Sequence, residues 1–273
     1  MTEFSDDWLA LREAADARAR SRELVARLAT ALHGPLRCVD LGAGTGANVR
    51  YLAARLAGPQ HWELRDHDAD LLACARGACS ALHAADGRAV TVTTAVTDLF
   101  DWAGTGWRDA QLVTASALLD LMGGQWIRSL VGEVAAADAA ALLALSYDGR
   151  IGWEPGDAAD DALRTAFNAH QRARWVNDEP ALGPDAGAAA ASAFRDAGFR
   201  VHAATSDWCI GGDQPRLLQA LIAGWVEAAA EQQPDDAGAF RAWGERRSAQ
   251  VERCALRVRV GHTDCLALPR REG

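Results

Sequence analysis

Nowhere in the 273 residues do eighteen apolar side chains follow one another, so no segment reads as a helix that crosses a bilayer. The opening MTEFSDDWLALRE lacks the basic start and apolar core of a secretory leader and carries mainly acids instead. The expectation is a soluble, cytoplasmic protein with no membrane partner. Excess positive charge is missing too: 28 Lys and Arg stand against 37 Asp and Glu, a formal charge of -9. Binding to nucleic acid rests on grouped cations that neutralise phosphates, so a small molecule is the expected partner instead. The six cysteines, Cys38, Cys74, Cys79, Cys209, Cys254 and Cys265, are scattered and form no C-x-x-C pair. Neither a zinc site nor a disulfide framework is signalled; they read as reduced core thiols, and no metal is expected. Internal repeats are also missing.

What is present is a 49% hydrophobic composition, enough for a substantial core, in a length that α/β chains commonly fold as one domain. A helix is expected over 6–32, where Trp8, Leu11, Ala15, Leu24 and Leu28 keep near-helical spacing until Gly34-Pro35 stops it. Strands are expected over 36–41, 61–66, 88–94, 111–116 and 140–147, and helices over 47–56, 70–85 and 125–136. Such alternation predicts a mostly parallel sheet with helices on both faces. The stretch 148–184, with turns at DGR and EPGD and a helix over 160–175, is too long for a simple connection, and loops of that length are usually functional. A helix over 184–197, a strand over 199–205, helices over 217–231 and 237–254 and a last strand over 262–268 complete the chain.

The chemistry is concentrated in VDLGAGTGAN, residues 39–48. A phosphate-binding loop needs Lys and Ser or Thr after its last glycine, and Asn48 and Val49 stand there. Gly42, Gly44 and Ala47 do satisfy the dinucleotide pattern G-x-G-x-x-A, with an acid at the end of the next strand. Three features point elsewhere. Asp40 lies two residues before Gly42, where a carboxylate can meet a cationic group; Gly46 adds a third alternating glycine; and ELRDHD places Asp66 and Asp68 where ribose hydroxyls need acceptors.

These residues resemble the class I S-adenosylmethionine-dependent methyltransferases. VTDLFDW, residues 96–102, is similar to the segment with which that family meets adenine, and AQLVTASALLDL, residues 110–121, looks like its fourth strand and following turn, although Gln111 replaces the usual Asp. The resemblance implies an α/β, Rossmann-like, mostly parallel seven-stranded sheet with an antiparallel last strand, helices on both faces and helical insertions forming a cap. It divides one domain, 1–273, into an N-terminal helical lid 1–33, a cofactor-binding core 34–148, an inserted substrate cap 149–183 and a C-terminal part 184–273 with a helical insertion at 207–260. That insertion of roughly fifty residues exceeds a hairpin loop and is expected to form a cap or a homodimer surface.

The implied cofactor is S-adenosyl-L-methionine, with S-adenosyl-L-homocysteine as product. Its implied contacts are Asp40, Gly42, Ala43, Gly44 and Gly46 on the loop, Asp66 and His67 at the ribose, Asp98 and Leu99 at the adenine, and Ser116 at the methionine end. Arg12, on an N-terminal helix that closes over the site, is expected to pair with the methionine carboxylate.

A methyl on cationic sulfur needs an aligned acceptor, whether oxygen, nitrogen or carbon, and removal of its proton. His170 shares a helix face with Leu163 and Phe167 at i, i+4 and i+7, and its ordinary pKa near 6.5 suits a base. Asp120 either meets a substrate amine or hydroxyl or caps the next helix. Tyr147, Asn168 and Gln171 are candidates to orient a polar substrate, and Trp8 and Trp153, among ten tryptophans, either box the substrate or pack the core. SALLD stands where amino-adenine methyltransferases carry an N-P-P-Y-like motif, which argues against that class. The alternatives are an NAD(P)-dependent oxidoreductase and an enzyme that binds S-adenosylmethionine without methylating.

Overall fold

The computed structural model describes residues 5–101 and 107–270. Two helices open the chain, α1 (Asp6–Ala19) and α2 (Arg22–Ala31), where one was expected. The break is local chemistry: Ser21 adopts an extended backbone and its hydroxyl accepts the N–H of Leu24, capping a new helix one residue after Arg20 leaves the first.

Alternation then follows as β1 (Leu36–Leu41), α3 (Ala47–Ala53), β2 (Gln60–Asp66), α4 (Ala69–Ala78), β3 (Val90–Val96), β4 (Leu112–Ser116), α5 (Gly124–Ala136) and β5 (Ala140–Glu154). After β5 come α6 (Asp160–Ala173), the small strands β6 (Trp175–Val176) and β7 (Glu179–Pro180), α7 (Ala186–Asp196), β8 (Arg200–Thr205), β9 (Trp208–Ile210), α8 (Pro215–Gln232), α9 (Ala237–Glu252) and β10 (Arg257–Leu268). The main sheet runs β3-β2-β1-β4-β5-β10-β8, parallel from β3 to β5, with β10 inserted antiparallel between β5 and β8. This is the Rossmann-like sheet that the resemblance implied. Its seven strands gain an eighth, β9, which pairs with the early part of β10.

Two corrections concern length. The strands expected over 140–147 and 262–268 are 15 and 12 residues long, paired from Ala141 with Ala267 to Glu154 with Arg257. DGR, read as a turn, lies inside this ribbon, opposite a register shift between Val260 and His262. A second shift brings Asp264 against Leu145, whose φ of +56° is rare for a bulky residue. Asp264, only 2% exposed, accepts the N–H of Leu145 at 2.8 Å through one oxygen and that of Ser21 at 2.8 Å through the other. One buried carboxylate thus holds the bulge and ties the start of α2 to the sheet.

The sheet has a core on each face, and the extended β5–β10 ribbon builds a third with α6, α8 and α9. Trp153 sits at its centre with its ring edge-on to Trp225 and Trp243, at 5.5 and 5.4 Å between centroids. The insertion at 207–260 therefore covers the ribbon's apolar face, which the sheet's two helical layers do not reach.

Candidate active site

A cavity of about 870 Å³ opens at the carboxyl ends of β1 to β4, where open α/β sheets place their ligands. Its floor is the turn after β1. Gly42, Gly44 and Gly46 all have positive φ, and a Cβ at Gly46 would lie 2.8 Å from the sulfur of Cys79, so the turn reaches the cleft only with glycine there. Gly42, Ala43, Gly44, Asp66, His67, Asp98, Leu99, Ser116 and Arg12 line the cavity.

Asp66 and Asp98 belong to one end of it. Asp66 accepts the N–H of Gly44 at 2.8 Å through Oδ2 and that of Asp68 at 3.1 Å through Oδ1, and His67 Nδ1 lies 3.1 Å from the same Oδ1. Asp68 spends one oxygen on the N–H groups of Asp70 and Leu71 as the cap of α4. Asp98 holds its own turn by accepting from Phe100 N–H at 3.0 Å. Each carboxylate keeps acceptor capacity beyond these bonds.

Guanidinium groups occupy the opposite wall. Arg12 is gripped by Asp16 at 3.0 and 3.3 Å and stacks over Trp208, whose indole N–H donates to the same Asp16 at 3.0 Å. Arg20, which the sequence reading passed over, is 5% exposed; it donates to Ser116 Oγ at 2.8 Å and to Asn48 Oδ1. The signal for Arg20 was the Ser21 cap, since a residue leaving one helix just before another can turn its side chain inward.

Asp40 departs from expectation in one respect: it does not line the cavity but sits 1% exposed beneath it. Thr114 and Asn48 draw its carboxylate under the loop, donating to Oδ1 at 2.6 and 2.5 Å, while Oδ2 has no partner. Burial pushes its pKa up to about 6, against the lowering effect of those two bonds and of Arg20. Asn48, which does line the cavity, links Asp40 to Arg20. Gly46 likewise stands behind the lining, where its φ of +79° starts α3.

The substrate candidates are not brought together in this cavity. His170 is part-buried between α6 and α8, with Nε2 3.2 Å from the exposed Glu231 of α8. The helical face it shares with Leu163 and Phe167 packs on the third core, not on the cleft. Tyr147 donates to Asn168 Oδ1 at 2.7 Å, Gln171 is buried beside Gly183, and Trp153 is core. Trp8 packs beside the same core, one residue before the cavity-lining Leu9. Of the segment 149–183, only Arg174, Trp175, Val176 and Asn177 reach the cavity. Asp120 lies in a short 3-10 turn between the lining residues Leu118 and Leu121; burial raises its pKa, while Arg12 and Arg174 pull it down. Among the described residues no cluster suited to a metal ion occurs, and no helix is long and apolar enough to cross a membrane.

No protein-family model matches the chain, and no curated protein sequence matches it. Among solved structures it is similar to a SAM-dependent methyltransferase from Geobacter sulfurreducens in complex with S-adenosyl-L-homocysteine, at 17% identity and a TM-score of 0.45, covering 99% of this chain and 100% of that one. A SAM-dependent methyltransferase from Thiobacillus denitrificans, also in complex with S-adenosyl-L-homocysteine, aligns at 17% identity and a TM-score of 0.45 over 98% and 100% of the two chains. The cyclopropane synthase MmaA2 from Mycobacterium tuberculosis aligns at 11% identity and a TM-score of 0.48 over 97% and 94%.

Proposed function

We propose that this chain is an S-adenosylmethionine-dependent methyltransferase acting on a small molecule. The observation that carries the reading is one cavity lined by Asp66 and Asp98 at the ends of β2 and β3 and by Arg20, bonded to Ser116, at the end of β4, above the buried Asp40 with its unpartnered carboxylate oxygen. A nucleoside with free hydroxyls, a cationic centre and an amino-acid tail matches that order of groups.

In this reading Asp66 accepts the ribose hydroxyls while its bond from Gly44 holds the loop at the right height. Asp98 meets the adenine amine beside Leu99, and the close-packed Gly42–Gly44 backbone lets the nucleoside lie against the floor. Arg12 and Arg20 offer the methionine carboxylate two guanidinium partners, with Ser116 fixed between Arg20 and the cleft. Asp40 acts through Asn48, supplying negative potential under the cationic centre from a position that water does not reach.

When bound, the cofactor supplies a methyl group on a cationic sulfur leaving group. Any proton the acceptor loses would pass to a base of this chain or to water. The chain has no lysine, so its side-chain cations are guanidinium groups that do not take protons at neutral pH. Asp120, in the turn between the lining residues Leu118 and Leu121, is the proton acceptor this reading favours. His170, outside the cavity lining and in contact with Glu231, has no part in it.

Calorimetry with S-adenosylhomocysteine and with NAD, added separately, tests the reading. Heat with the first and none with the second is expected; the reverse pattern would make the dinucleotide alternative the better one.

A further inference from the structure

Resting on the methyltransferase reading, we propose that the methyl acceptor has a flat aromatic body, gripped by Phe100, Met122 and Trp175, and that Trp175 is the specificity-determining residue. Among the described residues the exposed large hydrophobic side chains are Val96 and Trp175, at 64% and 72%, and both line this one cavity. Large apolar side chains left in water around a concave site mark a binding surface. Phe100, part-buried, and Met122, 2% exposed in the core that backs the cleft, line the same cavity, so two aromatic rings and a thioether, side chains that favour an aromatic partner, share its lining.

These three residues are not on independent loops. Glu179 of β7 accepts the N–H groups of Gln125 and Trp126 at 2.8 and 3.1 Å, capping α5. Only glycine fits beside it, since a Cβ at Gly123 would lie 2.1 Å from Glu179 Cδ. Leu182 N–H donates to Met122 O at 2.9 Å, and Ala181 N–H donates to Arg174 O at 2.8 Å, which fixes the stem from which Trp175 projects. On the other side, the Trp126 indole donates to Leu99 O at 2.8 Å, holding the residue next to Phe100. The β6–β7 hairpin closes with Asn177 and Asp178 at φ of +49° and +65°, the left-handed pair of a two-residue turn that Asn and Asp tolerate. One helix start therefore sets the positions of all three side chains, and a preorganised apolar box of this kind selects by shape rather than by adapting.

The test uses the full chain saturated with S-adenosylhomocysteine and two matched pairs of probes, benzoate with cyclohexanecarboxylate and phenol with cyclohexanol, followed by saturation-transfer NMR. The aromatic member of each pair is expected to bind about two- to tenfold more tightly, the range that ring contacts add beyond area. Trp175→Leu should abolish that preference while its affinity for S-adenosylhomocysteine, by calorimetry, stays unchanged; Trp175→Phe should retain the preference. Equal binding of ring and cyclohexyl probes overturns the proposal. So does a Trp175→Leu variant that loses S-adenosylhomocysteine affinity but keeps probe discrimination, because Trp175 would then cover the cofactor. Absence of heat with S-adenosylhomocysteine in the unmodified protein would overturn the methyltransferase reading and the acceptor role with it, whereas heat without ring preference overturns the box alone.

Discussion

Asp66 accepts the backbone N–H of Gly44 at 2.8 Å, so the residue proposed to hold the ribose also fixes the loop on which the nucleoside lies. Removing the carboxylate costs both contacts. Asp66→Ala is expected to weaken S-adenosylhomocysteine binding by about 10- to 100-fold, the worth of a hydrogen bond to a charged group, with titration calorimetry as the measurement. Unchanged affinity would move the ribose contact elsewhere, with Asp68 the next candidate.

Asp40 sets a pH dependence. Its folded pKa of about 6 lies above the ordinary carboxylate value of 3.8, so burial favours the protonated form. The stability it contributes is present below about pH 4 and lost as pH rises through 6, a cost of roughly 3 kcal/mol at neutral pH. Asp40→Asn is expected to melt higher than the unmodified protein at pH 7.5 and alike at pH 4. Affinity for the cationic cofactor should fall from pH 7 to pH 5 in the unmodified protein and stay flat in the variant.

His262 works in the opposite direction. Burial, with Arg12 adding to it, lowers its pKa to about 4, and its ring packs on Trp208 and Tyr147 with Nδ1 3.1 Å from Val260 O. A folded pKa below the unfolded value of 6.5 gives stability that is present above pH 6.5 and lost as pH falls toward 4, up to roughly 3 kcal/mol. Urea denaturation of His262→Phe at pH 7 and pH 5 should show a smaller acid loss than the parent.

Gly46→Ala places a methyl 2.8 Å from Cys79 Sγ at a backbone φ of +79°. The strain and the clash act together, and a loss of about 2 kcal/mol or more is expected from thermal denaturation. Pairing it with Cys79→Ala should recover the steric part only.

His170→Ala is expected to retain full methyl transfer, since the imidazole contacts Glu231 rather than the cavity. A large fall in turnover at saturating substrate would place the acceptor on the α6 side instead.

Much of the cofactor half was legible in the chain itself. VDLGAGTGAN fixed a strand, a tight turn and a helix start by local chemistry alone, because only glycine takes those three backbone conformations cheaply. Asp66 ends β2 and Asp98 follows the β-branched β3, so their convergence followed once the sheet order was anticipated. His170 misled because a helical face records only that a side chain is turned inward, and a third core lay on that side, unseen until the β5–β10 ribbon had its full length.

The sequence by itself determined the glycine turn, the alternating elements and the acids at the ends of β1, β2 and β3, since each depends on neighbours within a few residues. Tertiary structure alone decided that Asp40 lies under the cleft, bonded to Asn48, that Arg20 enters it beside Ser116, and that Trp175 and not α6 reaches its mouth. Those outcomes depend on contacts between segments as far apart as Ser21 and Asp264, whose pairing energy exists only once the sheet has closed around them.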